Sequence, residues 1–344
     1  MSGTPPFRRL YVTDCEGPLS RNDNAQELAE HFIPQGAELF ARLSRYDDVL
    51  ADVARRPGYN AGDTLRLLPP FLIAYGATDA RVLEFSSHTV LMVPHARDLL
   101  AALPSLLDPY IISTSYTPYV QALCEITGFP FERCHCTTLS LDAWQLDDRE
   151  ASLLRTWAER ILRRPLIEIP PEASSLADLD PVARATVAEL DALFWEQMSG
   201  TVSGEMLAAV RPIGGGMKLA ALEDIVAAAG RAGTDVLYVG DSITDAPTLA
   251  AVRGWGGIAV SFNGNGYALA AAEVAVAATD ALPMLELARA FAAGGPAAVR
   301  AKVHDWPPGS PARVGLLESD RERLTAASLA ARTAVRGEHI ARLG

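Results

Sequence analysis

Lysine is nearly missing from this chain: Lys218 and Lys302 are the only two, and arginine supplies the remainder of the 30 basic residues. Against 42 acidic residues the formal charge is −12, and no dense basic run is present to track a phosphate backbone, so no nucleic-acid partner is expected. Long apolar runs are missing as well. No stretch approaches the roughly 18 to 20 residues that span a bilayer, and the opening MSGTPPFRRL leads into a strand rather than the apolar core of a signal peptide. No membrane partner and a cytoplasmic location are the expectations. Cysteine is scarce: Cys15, Cys124, Cys134 and Cys136 are too few and too unevenly placed to staple 344 residues, so reduced thiols are expected. Cys134-His135-Cys136 has no second thiol or imidazole cluster to complete a zinc site and reads as part of a strand.

What is present is the composition of an ordinary globular protein, 49% hydrophobic and 21% charged, in a chain long enough to bury a sizeable core. Four short apolar runs each halt at a polar loop: residues 10–13 at DCEGP, 110–112 at STS, 235–239 at GDSITD and 257–262 at NGNG. Helical patterns separate them, at 119–127 and 219–230, which predicts an α/β fold with a parallel sheet. The carboxyl ends of its strands should line one crevice. Two long segments break the alternation with helical periodicity, residues 20–92, interrupted at Pro57-Gly58, and about 141–210. The predicted organisation is a core built from 1–19, 93–140 and 211–295, a helical cap at 20–92, and a second helical insertion at 141–210. A C-terminal linker and polar helix follow at 296–344, after a Gly-Gly-Pro break.

The chemistry concentrates in two acidic loops, DCEG and GDSITD, each following a buried strand. Asp14, Asp241 and Asp245 would repel one another if brought together dry, and a set of hard oxygen ligands suits Mg²⁺. Taken singly, each piece has a structural explanation: an acidic turn, a surface lysine, or a helix N-cap within GDSITD. Their occurrence together, in order, each at a strand or helix boundary, is what those explanations leave unaccounted for.

That order, Asp-x-Glu-Gly, strand then Ser, isolated Lys, Gly-Asp-x-x-x-Asp, resembles the four motifs of the haloacid dehalogenase (HAD) superfamily. The helical insertion after the first motif is similar to its phosphoserine-phosphatase-like group. DCEGP with SFNGN also resembles a branch labelled subunit R of energy-converting hydrogenase. The resemblance covers the core motifs, about half of the chain, and implies a Rossmann-like core under a helical cap. It implies Asp14 as a covalent nucleophile and Glu16 as general acid and base, with its carbonyl on Mg²⁺; the usual residue there is Asp. Ser113 would donate to a phosphoryl oxygen with Thr114 N–H nearby, although Ser113-Thr114-Ser115-Tyr116 lacks the glycines of the related pattern. Lys218 would neutralise Asp14 and the phosphoryl group, and Asp241 and Asp245 would hold Mg²⁺, the second directly or through water.

Other features carry two readings each. Gly214-Gly215-Gly216 lacks the full phosphate-loop pattern and reads as a hinge beside Lys218. Asn263-Gly264-Asn265-Gly266 either touches Asp245 or the phosphate entrance or is plain turn chemistry. His31, Arg42, Arg45 and Arg66 either face a leaving group or coat a solvated helix. The expected function is a Mg²⁺-dependent phosphomonoester hydrolase acting on a small phosphorylated metabolite. A phosphotransferase using the same intermediate and a non-catalytic subunit of this fold are the alternatives.

Overall fold

A computed structural model describes residues 7–341. Strand β1 (Leu10–Thr13) is buried at every position, as a strand covered on both faces must be. The first insertion follows: α1 (Asn24–Phe32), α2 (Gly36–Asp48), α3 (Thr64–Leu67), α4 (Pro69–Ala74) and α5 (Asp79–Thr89). Side chains of Asp23 and Thr78 begin α1 and α5 by accepting from the free amides of Gln26 and Arg81. Helix α6 (Ala96–Leu106) returns to the core and leads to β2 (Asp108–Tyr116) and α7 (Thr117–Thr127), which ends at a left-handed Gly128. Strand β3 (Cys134–Thr137) takes up the Cys-His-Cys segment.

The second insertion supplies α8 (Asp148–Leu162), α9 (Pro181–Asp191) and α10 (Val202–Ala209). After it come α11 (Gly216–Ala229), β4 (Val236–Gly240), α12 (Ala246–Gly254), β5 (Ile258–Phe262), α13 (Gly266–Ala271) and β6 (Val274–Ala277). The C-terminal part holds α14 (Leu282–His304), β7 (Arg313–Leu316) and α15 (Arg321–Ala341).

The strands form one sheet in the order β3-β2-β1-β4-β5-β6-β7, parallel except for β7, which runs antiparallel to β6. The fold is the mostly parallel, Rossmann-like α/β architecture expected. Because β1 pairs with β2 on one side and β4 on the other, the chain winds outward in both directions from β1. A crevice must open there, at the carboxyl ends. The register Thr13↔Val239 sets the loops after β1 and β4 side by side.

Helices cover both faces of the sheet. One face buries Leu99, Leu103, Val120 and Phe291, the other Leu222, Ile225, Leu249 and Leu269. The two insertions share a third core, in which Leu39, Tyr46 and Phe71 meet Leu154, Trp157 and Phe194. They therefore fold as one helical body. Tyr46 OH fastens it, donating to Asp191 Oδ1 at 2.6 Å and accepting from Trp195 Nε1 at 2.8 Å.

The tail holds one expected feature and one departure. The expected Gly-Gly-Pro break is a kink within α14, where Gly294 and Gly295 leave helical geometry. The segment after the proline-rich linker adds β7, a strand the sequence reading did not include; none of its four residues is fully buried, so no apolar run announces it.

Candidate functional site

Asp14 leaves β1 at the switch point, its N–H continuing the ladder to Val239 O at 2.9 Å. Its side chain is 7% exposed. Oδ1 accepts from Cys15 N at 2.6 Å and Oδ2 from Lys218 Nζ at 2.6 Å. Lys218, fully buried in the first turn of α11, also donates to Asp245 Oδ1 at 2.8 Å. One ammonium thus bridges two carboxylates. Burial by itself would favour the neutral amine, but Asp14 and Asp245 outweigh it and hold the lysine pKa above its ordinary value.

Asp245 is committed on every side. Oδ1 takes Tyr238 OH at 2.7 Å besides Lys218, and Oδ2 takes the amides of Asp241 and Ser242 at 3.0 and 3.2 Å. Desolvation opposes its ionisation, yet Lys218 and these donors bring its pKa below the usual range. With its oxygens so engaged, Asp245 orients Lys218 and the Asp241 loop.

Asp14, Asp241 and Asp245 each offer an oxygen within 4.8 Å of the others, all buried. Burial first, offset by Lys218 and then reinforced by Asp245 and Asp241, pushes Asp14 up to about 7. Lys218 is shared by Asp14 and Asp245 while Asp241 has partners of its own, and hard oxygen donors at that spacing fit Mg²⁺.

Glu16 lies in the loop after β1, where its Oε1 accepts from Asn24 N at the start of α1, at 2.6 Å. It joins the loop after β1 to the helical body. Burial and the neighbouring Asp23 carry its pKa well above normal, with Arg336 pulling the other way. Ser113 is fully buried, and its hydroxyl donates to Ser115 Oγ at 3.0 Å while accepting from Ser115 N at 3.2 Å. Thr114 and Ser115 are the residues of this segment that line the cleft. Thr114 Oγ1 is buried with no hydrogen-bond partner among the described residues.

Gly214-Gly215-Gly216 serve close approach. A Cβ on Gly214 would fall 2.3 Å from Ala61 O, so the glycines admit the loop 60–62 of the first insertion over the site. Asn263, at a φ of 49°, clasps Ala278 through both amide atoms, at 2.7 and 2.9 Å. Asn265 N donates to Asp241 O at 2.9 Å. The Asn-Gly loop therefore supports Asp241.

None of His31, Arg42, Arg45 and Arg66 lines the cleft. His31 stacks on Phe85, Arg42 donates to Arg164 O, and Arg45 and Arg66 pair with Asp48 and Asp63. The cations that do line it are Arg332 and Arg336 of α15, which the sequence reading overlooked. Arg332 Nη1 reaches Asp241 Oδ2 at 2.5 Å and Arg336 Nη1 the same oxygen at 3.0 Å. Their only local signal is the i,i+4 spacing in an otherwise alanine-rich helix.

No protein-family model and no curated protein matches the chain. Among solved structures it is similar to a gene product of Archaeoglobus fulgidus, with 28% identity and a TM-score of 0.84 over 98% of this chain and 99% of that one. The shared fold is thus nearly end to end, insertions and C-terminal part included. It also aligns with a phosphoserine phosphatase in apo form, at 13% identity and a TM-score of 0.49 over 81% of this chain and 98% of that one. A further alignment, with a HAD family hydrolase from Salmonella enterica serovar Typhi, has 12% identity and a TM-score of 0.43 over 76% and 65% of the two chains. No helix among the described residues is long and apolar enough to cross a membrane.

Proposed function

We propose that the chain is a Mg²⁺-dependent phosphomonoester hydrolase of the HAD type, working through an aspartyl-phosphate on Asp14. The observation that carries this reading is the convergence on Asp14, at the crevice of the sheet, of Lys218 at 2.6 Å and two further buried aspartates. Asp14 attacks phosphorus, forming an acyl phosphate as the bond to the leaving oxygen breaks, and Glu16 gives that oxygen its proton. Glu16 then takes a proton from water, whose oxygen displaces Asp14 and releases inorganic phosphate. A carboxyl whose pKa is raised by burial, as that of Glu16 is, is suited to act first as the acid.

Lys218 offsets charge on Asp14 and on the transferred group, while the unpartnered Thr114 hydroxyl and Ser115 are placed to donate to phosphoryl oxygens. Mg²⁺ held by Asp14, Asp241 and the Glu16 carbonyl would neutralise phosphoryl charge as a Lewis acid. Asp245 keeps Lys218 and Asp241 in place. The helical body lines the cleft with Phe40, Ser44, Asp47 and Leu65, and a cleft roofed in this way suits a small phosphorylated metabolite.

Purified protein with Mg²⁺ is expected to release inorganic phosphate from members of a metabolite-phosphate panel. Asp14→Asn should lower that rate by about 10⁴-fold or more, the scale seen when a covalent nucleophile is removed. Undiminished turnover in the variant would refute the covalent step. Label recovered only as inorganic phosphate, with alcohol acceptors present, separates hydrolysis from transfer.

A further inference from the structure

Ser328, Arg332 and Arg336 are spaced four apart on α15 and form one polar stripe aimed at the acid cluster. Ser328 Oγ donates to Gly264 O at 2.9 Å, on the loop that supports Asp241. Arg332 Nη1 lies 2.5 Å from Asp241 Oδ2 and 3.2 Å from Asp241 O. Arg336 spans the cleft: Nη1 is 3.0 Å from Asp241 Oδ2, and Nη2 is 2.5 Å from Asn22 O at the entrance to the helical body. The side chains of Arg332, Arg336 and Asp241 are 2%, 6% and 2% exposed. Two guanidiniums on one buried carboxylate oxygen is a costly arrangement unless that oxygen's charge has to be balanced, since each cation loses its water and repels the other.

We propose that Arg332 and Arg336 are a displaceable latch on Asp241. They hold the charge position that a divalent cation takes, compete with it for Asp241 Oδ2, and make entry of the cation conditional on movement of α15. The inference rests on the reading of Asp241 as a cation ligand. A dication at Asp241 with both guanidiniums in place would bring three cations onto one carboxylate, so the latch has to yield as the ion arrives. Because Arg336 also holds Asn22 O, its release loosens the junction between core and helical body. Cation binding and opening of the cleft are thereby coupled.

The test is Mn²⁺ binding, followed by the spectrum of the free ion and by calorimetry, on the full chain and on Arg332→Gln, Arg336→Gln and the double variant. The double variant is expected to bind Mn²⁺ roughly tenfold or more tightly than the natural chain, within the usual span of coupling between sites. Asp241→Asn should abolish binding in either background. In the natural chain, Mn²⁺ should raise amide hydrogen exchange around residues 328–336, a readout that needs no variant to fold. Unchanged or weaker Mn²⁺ binding in the double variant overturns the latch, as does an exchange pattern in which Mn²⁺ protects this segment, or absence of binding in every chain. A chain that binds Mn²⁺ and frees α15 but hydrolyses no phosphomonoester upholds the latch and defeats the phosphatase reading. Phosphatase activity with Mn²⁺ affinity insensitive to both arginines does the reverse.

Discussion

Gly17 and Asp241 are in such close apposition that a Cβ on the glycine would lie 2.4 Å from the aspartate's carboxyl carbon. Gly17 also has a φ of +95°, a backbone conformation that side chains resist. The loop after β1 can therefore reach the loop after β4 only with glycine at this position. Gly17→Ala is expected to push Asp241 aside and to destabilise the fold by about 1–3 kcal/mol, the scale of a strained residue. Urea unfolding measures the second effect, and cation titration the first. A Kd for Mn²⁺ unmoved by the substitution would show that Asp241 is not where the ion binds.

Lys218 faces Asp14 and Asp245 with no exposure to solvent. Lys218→Met leaves two buried carboxylates without their common partner, and removal of one member of such a group costs about 3–5 kcal/mol. Phosphate release should fall by about 10²–10³-fold, the range for losing one electrostatic contact to a transition state. Lys218→Arg should restore little, because a planar guanidinium does not fit a socket shaped for a compact ammonium. Full activity in Lys218→Arg would contradict that account.

Asp47, in the roof of the cleft, is pushed up to about 8, first by burial and then by repulsion from Asp48. Its Oδ2 accepts from Gly62 N at 2.9 Å, and the buried Tyr59 hydroxyl faces the same carboxylate. Between about pH 4, where the unfolded carboxyl ionises, and pH 8, the folded state binds the extra proton. Stability contributed by this group is therefore highest at acid pH and falls as pH rises through that window. Asp47→Asn keeps an acceptor for Gly62 N and removes the ionisation, so it should raise Tm more at pH 8 than at pH 5. Equal shifts at the two pH values would place the burden elsewhere.

Asn263 combines a left-handed backbone with two buried bonds to Ala278. Asn263→Gly keeps the backbone and loses the bonds; Asn263→Ala loses both. Losses of about 2–4 kcal/mol are expected, with alanine the worse of the pair. Denaturant titration resolves the order, and the reverse order would mean that backbone strain plays no part at this loop.

Much of this layout was legible before any coordinates. Asp14, Lys218, Asp241 and Asp245 sit at the ends of apolar runs or the start of a helix, and such boundaries are local patterns of hydrophobicity and glycine. The four strands read from such runs are strands of the sheet. What stayed hidden were features without a local period. Strand β7 is a half-exposed edge held by its neighbour β6. The hydroxyl of Ser113 turned to Ser115, a choice made by packing around β2 rather than by the residue type. None of His31, Arg42, Arg45 and Arg66 lines the cleft, although Asp48, the partner of Arg45, does.

By itself the sequence determined the α/β class, the order of the strands that carry acidic loops and the identity of the residues those loops deliver, because each depends on neighbours a few positions apart. Only the tertiary structure decided that the two insertions share one core and that Asp245 is fully occupied by donors. It also decided that Arg332 and Arg336 reach across 91 and 95 residues to Asp241. Such contacts follow from which surfaces are buried together and how their charges balance once water is gone, and neither quantity has a signature along the chain.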